Sequence, residues 1–292
     1  MAVRTVGMLF DMHVMSDLHA EPGERRDYDG VPRARRAVRR LNDLGVDWTV
    51  VGGDLRTLAS RDPSRTDWGN WHGHADNEYY RDDYERAIDV LDGLDAPYYP
   101  IRGNHDRPVS VWEEFFPPEA YPRWFHLEDG GARYVFLDSN PHEGYHHLTQ
   151  TQNFVSAPQL SMLERLMDDD PEVPTFVFCH APLAAHTDLH PEWASGRTGA
   201  YRITLNYPSV QRVLERGTTV LVNTGHYSQD HGREAKAVEG VEYVLARHFG
   251  GSDPDYAGDL RWMTVDTDER EATVHYRDMM REEEGVITTA TW

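Results

Sequence analysis

The chain has 292 residues, of which 39% are hydrophobic, enough to bury a full core as a soluble globular protein. Against 29 Lys and Arg stand 50 Asp and Glu, for a formal net charge of -21, so binding of nucleic acid through a broad basic face is not expected. The single Cys179 excludes an internal disulfide and any multi-cysteine zinc site, and no apolar run approaches the roughly 20 residues of a membrane span.

The N-terminal stretch "MAVRTVGMLFDMHVMSDLHA" carries acidic and histidine residues where a secretion signal needs an unbroken apolar segment, so a cytoplasmic location with no membrane partner is the expectation. Lys236 is the only lysine. Self-repulsion at this net charge is tolerable where the Debye length falls to about 3 Å near 1 M salt, and we expect a protein adapted to high salt; an acidic protein with arginine-rich codon bias is the plainer alternative.

Apolar period and breaker residues predict alternating strands and helices from near residue 6 to about 223, then mostly strands. This is an α/β pattern, and with no internal repeat or dividing linker it reads as one domain over 1–292. After a first strand, Pro32 starts a helix whose stripe is Ala34, Ala37, Val38, Leu41 and Leu44. The run "VDWTVV" at 46–51 reads as a buried strand. Residues 55–80 are polar and aromatic without period and read as a long loop, of the kind that is often functional.

A second helical stripe follows at Tyr84, Ala87, Ile88, Leu91 and Leu94, then strands at 98–102 and 133–138. A third helix carries Leu160, Leu163, Leu166 and Met167, and strand 175–179 leads to a fourth at Val210, Val213 and Leu214. Strand 218–223 ends the alternation. The runs at 241–247, 260–266 and 272–277 have no helices between them and read as a hairpin-connected sheet.

Metal-capable residues fall where the strands end. Asp17 and His19 follow the first in "MSDLH", Asp54 the second in "VVGGD", and Asn104, His105 and Asp106 the third in "IRGNHD"; His180 follows "TFVFC" and His226 follows "TTVLVNTG". In an open α/β sheet the C-terminal strand edge is where ligands bind. Mixed Asp, His and Asn donors suit divalent Mn, Fe, Zn or Ni. Two such ions bridged by one carboxylate generate hydroxide near neutral pH and clamp both oxygens of an in-line displacement at phosphorus. Glycines before Asp54 and Asn104 allow sharp turns there.

"SDLH", "GGDL", "GNHD", "CHAP" and "GHYS", in this order over 17–228, resemble the five motifs of the calcineurin-like metallophosphoesterases. The resemblance implies a four-layer α-β-β-α sandwich with two mixed sheets and a hydrolase using two divalent ions, manganese favoured. By the same pattern Asp17 and His19 bind the first ion, Asp54 bridges both, and Asn104, His180 and His226 complete the second. His105 sits by the leaving group, with Asp106 holding its imidazole. "VFLDSN" followed by "TQNFVSAPQLSMLERL" also resembles the branch of class III cyclic-nucleotide phosphodiesterases and manganese-dependent nucleotide diphosphatases. A small phosphodiester or phosphoanhydride, nucleotide-like, is the implied substrate, with monoesters next; a nuclease of the same chemistry is the alternative.

Two departures matter. Many members of the family end this motif in Gly-His-x-His, and here Ser228 replaces the second histidine. Water fills the vacancy, or His231 reaches back, or the first site is weak and the chain is a catalytically weakened metal-binding protein; we favour water. The tripeptide "DMH" at 11–13 also repeats the Asp-x-His spacing of "DLH" at 17–19, and the better fit of "SDLH" assigns Asp11 and His13 to the strand or its flank. Cys179 reads as core, because strand neighbours point to opposite faces and it does not pair with His180. His72, His74, His186 and His190 read as solvated loop residues, and the aromatics of 68–80 as loop anchors.

Overall fold

The computed structural model describes residues 3–13, 31–56, 77–106, 109–140, 153–184, 203–226, 233–245, 247, 249–250 and 258–292. In chain order the elements are β1 (Val3–Leu9), α1 (Val31–Leu44), β2 (Trp48–Val51), α2 (Asn77–Leu91), β3 (Tyr98–Pro100), α3 (Val109–Phe115), β4 (Phe125–Asp129), β5 (Ala132–Leu137) and α4 (Ala157–Asp169). There follow β6 (Thr175–Cys179), α5 (Tyr207–Leu214), β7 (Thr219–Thr224), β8 (Glu234–Val238), β9 (Val241–Leu245), β10 (Asp259–Asp266), β11 (Glu271–Asp278) and β12 (Glu283–Thr291). Among the described residues no helix is long and apolar enough to cross a membrane.

One sheet has the order β12-β11-β10-β1-β2-β3 and the other β4-β5-β6-β7-β9-β8. Both are mixed. In the first, β1, β2 and β3 run parallel and β10 to β12 join antiparallel. In the second, β5, β6, β7 and β9 run parallel, with β4 and β8 as antiparallel edges.

Three apolar layers separate four structural ones. Leu9, Val51, Ala34, Leu41, Tyr84 and Leu91 pack the first sheet against α1 and α2. Val6, Met8, Phe10, Val50, Phe136, Phe178, Leu221 and Met263 fill the space between the sheets. Val135, Val177, Val222, Leu163 and Val210 pack the second sheet against α4 and α5. Alternate residues of one strand enter different layers, which is why the parallel strands are apolar throughout. This is the expected α-β-β-α sandwich.

The expected elements sit close to their places in the chain, but the single hairpin-connected sheet expected over 241–247, 260–266 and 272–277 is corrected: β10 and β11 pair as a hairpin in the first sheet, whereas β9 lies between β7 and β8 in the second. The loop expected over 55–80 ends sooner, since α2 begins at Asn77; residues 57–76 lie outside the described residues. Helix α3 and strands β4, β8 and β12 were not anticipated.

Candidate metal centre

Strands β1, β2 and β3 end side by side, and β6 and β7 end opposite them from the second sheet. The pairing Leu9↔Val51 continues beyond both strands. Gly52 N–H donates to the Leu9 carbonyl (2.7 Å), Asp11 N–H to the Gly53 carbonyl (3.0 Å) and His13 N–H to the Asp54 carbonyl (2.9 Å). That zipper brings "DMH" beside "GGD". Asp11 and His13 thus lie at the flank of β1, as expected, and from there they reach the cluster, which had not been expected of them. Asp17 and His19 lie outside the described residues, as do Ser228 and His231, and His72, His74, His186 and His190.

Asp54 is 2% exposed in its side chain and lies at the middle of the cluster. Its Oδ2 is 3.3 Å from His180 Nε2 and 3.9 Å from both His13 Nε2 and His105 Nε2. Its Oδ1 accepts the backbone N–H of His105 at 2.7 Å. His180 Nε2 is in turn 3.0 Å from Asn104 Oδ1 and 3.2 Å from His226 Nδ1. Asp11 accepts the His226 backbone N–H on both carboxylate oxygens, at 3.1 and 3.0 Å, and its Oδ1 is 4.0 Å from His13 Nε2.

Among the described residues two groups have ligand atoms within 4.8 Å of one another: His13 with Asp54 and His105, and Asp54 with His180 and His226. They share Asp54. A bridging carboxylate needs that arrangement, and the oxygen and imidazole donors fit divalent transition ions.

The backbone is bent to achieve this. Asp11, His13, Asp54 and His226 all adopt positive φ, at 55, 47, 51 and 68°. The other non-glycine residues in that region among those described, Glu239, Arg270 and Glu282, occupy hairpin turns. Left-handed backbone at non-glycine residues costs of order 1–3 kcal/mol each and collects at functional sites. Glycines let the turns meet. A Cβ on Gly103 would lie 2.1 Å from Asp54 Oδ1, and one on Gly53 would lie 2.8 Å from Gly103 Cα.

Burial and charge act together on the protonation of the cluster. Burial would push Asp54 up, but His180, His105 and His13 overcome it and hold the carboxyl well below its ordinary value. Burial pushes Asp11 up to about 7. On His180 burial works against charge, yet Asp54 and Asp11 outweigh it and raise the imidazole to about 10. A proton on His180 thus balances the neighbouring carboxylates, and an ion taken at Nε2 would displace it. His180 Nδ1 faces the Gly52 carbonyl at 2.9 Å, which leaves Nε2 as the atom offered to an ion.

His105 is the most open imidazole of the first group, its side chain 25% exposed against 9% for His13. Burial lowers it to about 3, so it is neutral at neutral pH. Asp106 does not hold its ring. The Asp106 carboxylate instead accepts three backbone N–H groups, from Gly103 (2.8 Å), Asp54 (2.7 Å) and Leu55 (3.0 Å), and so ties the turns after β2 and β3 together. The expectation that it steadies the imidazole is corrected accordingly. Cys179 is fully buried in the core and pushed up to about 12, as expected of a non-reactive thiol.

The profile of the calcineurin-like phosphoesterases matches residues 12–229. Among solved structures, a dimetal phosphatase from Danio rerio superposes with a TM-score of 0.70 at 15% identity, covering 98% of this chain and 98% of that one. Purple acid phosphatase PPD1 from yellow lupin (Lupinus luteus) seeds gives 0.68 at 13% identity, over 99% of this chain and 54% of that one. At these identities the likeness is one of fold. No curated protein matches the sequence.

Proposed function

The chain belongs to the calcineurin-like phosphoesterases, and from that premise we propose that it hydrolyses a small phosphodiester or phosphoanhydride, nucleotide-like, using two divalent ions. Asp11 and His13 would hold the first ion and Asn104, His180 and His226 the second, with Asp54 available to both. The observation that carries this reading is the sharing of Asp54 by two ligand groups. The mixed carboxylate, amide and imidazole donors suit Mn, Fe, Zn or Ni alike, and manganese is favoured among them from the resemblance to manganese-dependent nucleotide diphosphatases. When bound, the ions supply Lewis-acid activation of water and neutralise charge on the phosphoryl group.

The chain's own residues do the rest. Gly52 and Asp106 fix the orientation of His180 and of the turns that present Asp54 and Asn104. His105, neutral and the more open imidazole, donates a hydrogen bond to the departing oxygen rather than carrying a full positive charge to it. The net charge of -21 disfavours a polyanionic substrate, so a nuclease ranks second.

Turnover of bis(p-nitrophenyl) phosphate, p-nitrophenyl phosphate and single-stranded DNA with added Mn tests the proposal. The expected order is diester first, monoester second, DNA last. No turnover of any of the three with both ions verified in place would reduce the chain to a metal-binding protein.

A further inference from the structure

We propose that Asn153 is a positioning residue that fixes the tautomer of His226, so that Nδ1 offers its lone pair to the second ion. The inference deepens the dimetal reading and rests on it for its consequence at the metal.

His226 turns its two ring nitrogens in opposite directions. Nδ1 faces the cluster, 3.2 Å from His180 Nε2, and Nε2 faces the Asn153 carboxamide, 3.3 Å from Nδ2. A neutral imidazole has one N–H and one lone pair. For Nδ1 to be a ligand, the proton must sit on Nε2 and needs an acceptor on that side. The two ends of a carboxamide have the same size, so a half-turn about the Cβ–Cγ bond brings Oδ1 to the place of Nδ2 and accepts that proton.

Asn153 is built to stay there. Its side chain is fully buried, and the segment that carries it is fastened at several points. Leu205 N–H donates to the Asn153 carbonyl at 2.7 Å, and Phe154 N–H to the Ser139 carbonyl at 2.9 Å. The Asn206 carboxamide grips Val155 twice, accepting its N–H at 3.0 Å and donating to its carbonyl at 2.8 Å. Thus the ends of β5 and the start of α5 hold Asn153 against a ligand carried by β7. His180 is oriented by a backbone carbonyl, which no substitution removes; His226 is oriented by a side chain, which makes the role of Asn153 testable.

The test uses the full chain with Asn153→Asp, an acceptor only, and Asn153→Leu, which neither accepts nor donates. Imidazole nitrogen shifts in the metal-free protein, read with and without His180→Ala to remove the protonated Nε2 that faces His226 Nδ1 at 3.2 Å, report the His226 tautomer and the part that Asn153 plays in it. The expected result is a proton on Nε2 in the wild type and in Asn153→Asp, with a mixture in Asn153→Leu. Calorimetric titration with Mn should then show Asn153→Leu weakened roughly 10- to 100-fold for one of two ions, with Asn153→Asp close to wild type. A wild-type proton on Nδ1, or an Asn153→Leu protein with unchanged tautomer and affinity, overturns the proposal. Wild-type protein that binds no ion would instead sink the dimetal reading, while the nitrogen shifts would still decide what Asn153 does.

Discussion

The carboxylate of Asp106, fully buried, accepts the backbone N–H of Asp54 at 2.7 Å. Two further amides, from Gly103 and Leu55, complete its coordination. Asp106→Asn exchanges one acceptor oxygen for an N–H donor facing these amides. It should destabilise the fold by about 2 kcal/mol or more, because a buried donor left unsatisfied costs roughly 1–3 kcal/mol. Denaturant unfolding checks this. A variant with wild-type stability and only a lowered turnover number would restore the role of steadying His105.

His105→Ala should lower the turnover number about 100-fold and leave metal content and stability nearly unchanged. The magnitude is that of one hydrogen-bonding group acting on the transition state. His105 is partly open and lies 3.9 Å from Asp54 Oδ2, at the rim of the first ligand group. Metal analysis of the purified variant separates the two readings: loss of one ion would make His105 a ligand, in keeping with its grouping with His13 and Asp54.

Gly103→Ala should abolish binding of both ions. Its Cβ would lie 2.1 Å from Asp54 Oδ1 and 2.3 Å from the Asp54 nitrogen, a clash with backbone that no side-chain rotation relieves. Titration with Mn, together with circular dichroism to confirm folding, measures the effect. Ion binding at wild-type affinity would mean that the turns after β2 and β3 do not need their close approach.

The pH dependence of stability should change on metal removal. In the metal-free chain His180 is raised to about 10, above its ordinary 6.5. The native state then holds a proton that the unfolded chain gives up, so this contribution is full below about 6.5 and is lost as pH rises toward 10. Melting temperature should fall across that window without metal. With ions bound, His180 is an unprotonated ligand and the fall should vanish, while ion affinity rises with pH. Equal slopes with and without metal would contradict the assignment of His180.

At a net charge of -21, unfolding midpoints should rise from low to molar KCl as screening relieves self-repulsion. Midpoints that stay constant throughout would show that the acidic composition is not a salt adaptation.

Much of the fold was legible because the interior strands are buried on both faces and read as short apolar runs, as at β2, β6 and β7. β12 was not, since "EEGVITTAT" lies at a sheet edge with little burial, and β4 alternates only between half-buried and exposed positions. The site was legible where a glycine turn marks the strand end, as at Asp54 and Asn104. The part played by Asp11 and His13 was not legible at β1, where no glycine stands after Leu9 and the apolar character runs on through "LFDMHVM". The hydrogen bonds that carry the chain on beside β2 as far as His13 place these residues, and pairing is not written in one strand. The partners of Asp106 and of Asn153 are a set of backbone amides and a ring distant in sequence, for which no local pattern exists.

The central claim is that Asp54 bridges two ions between the ends of the two sheets. Anomalous scattering from a crystal soaked in Mn tests it most directly. Two peaks about 3.5–4 Å apart on either side of the Asp54 carboxylate, one beside Asp11 and His13 and the other beside Asn104, His180 and His226, are the result the account predicts. A single peak, or peaks that do not touch Asp54, would contradict it.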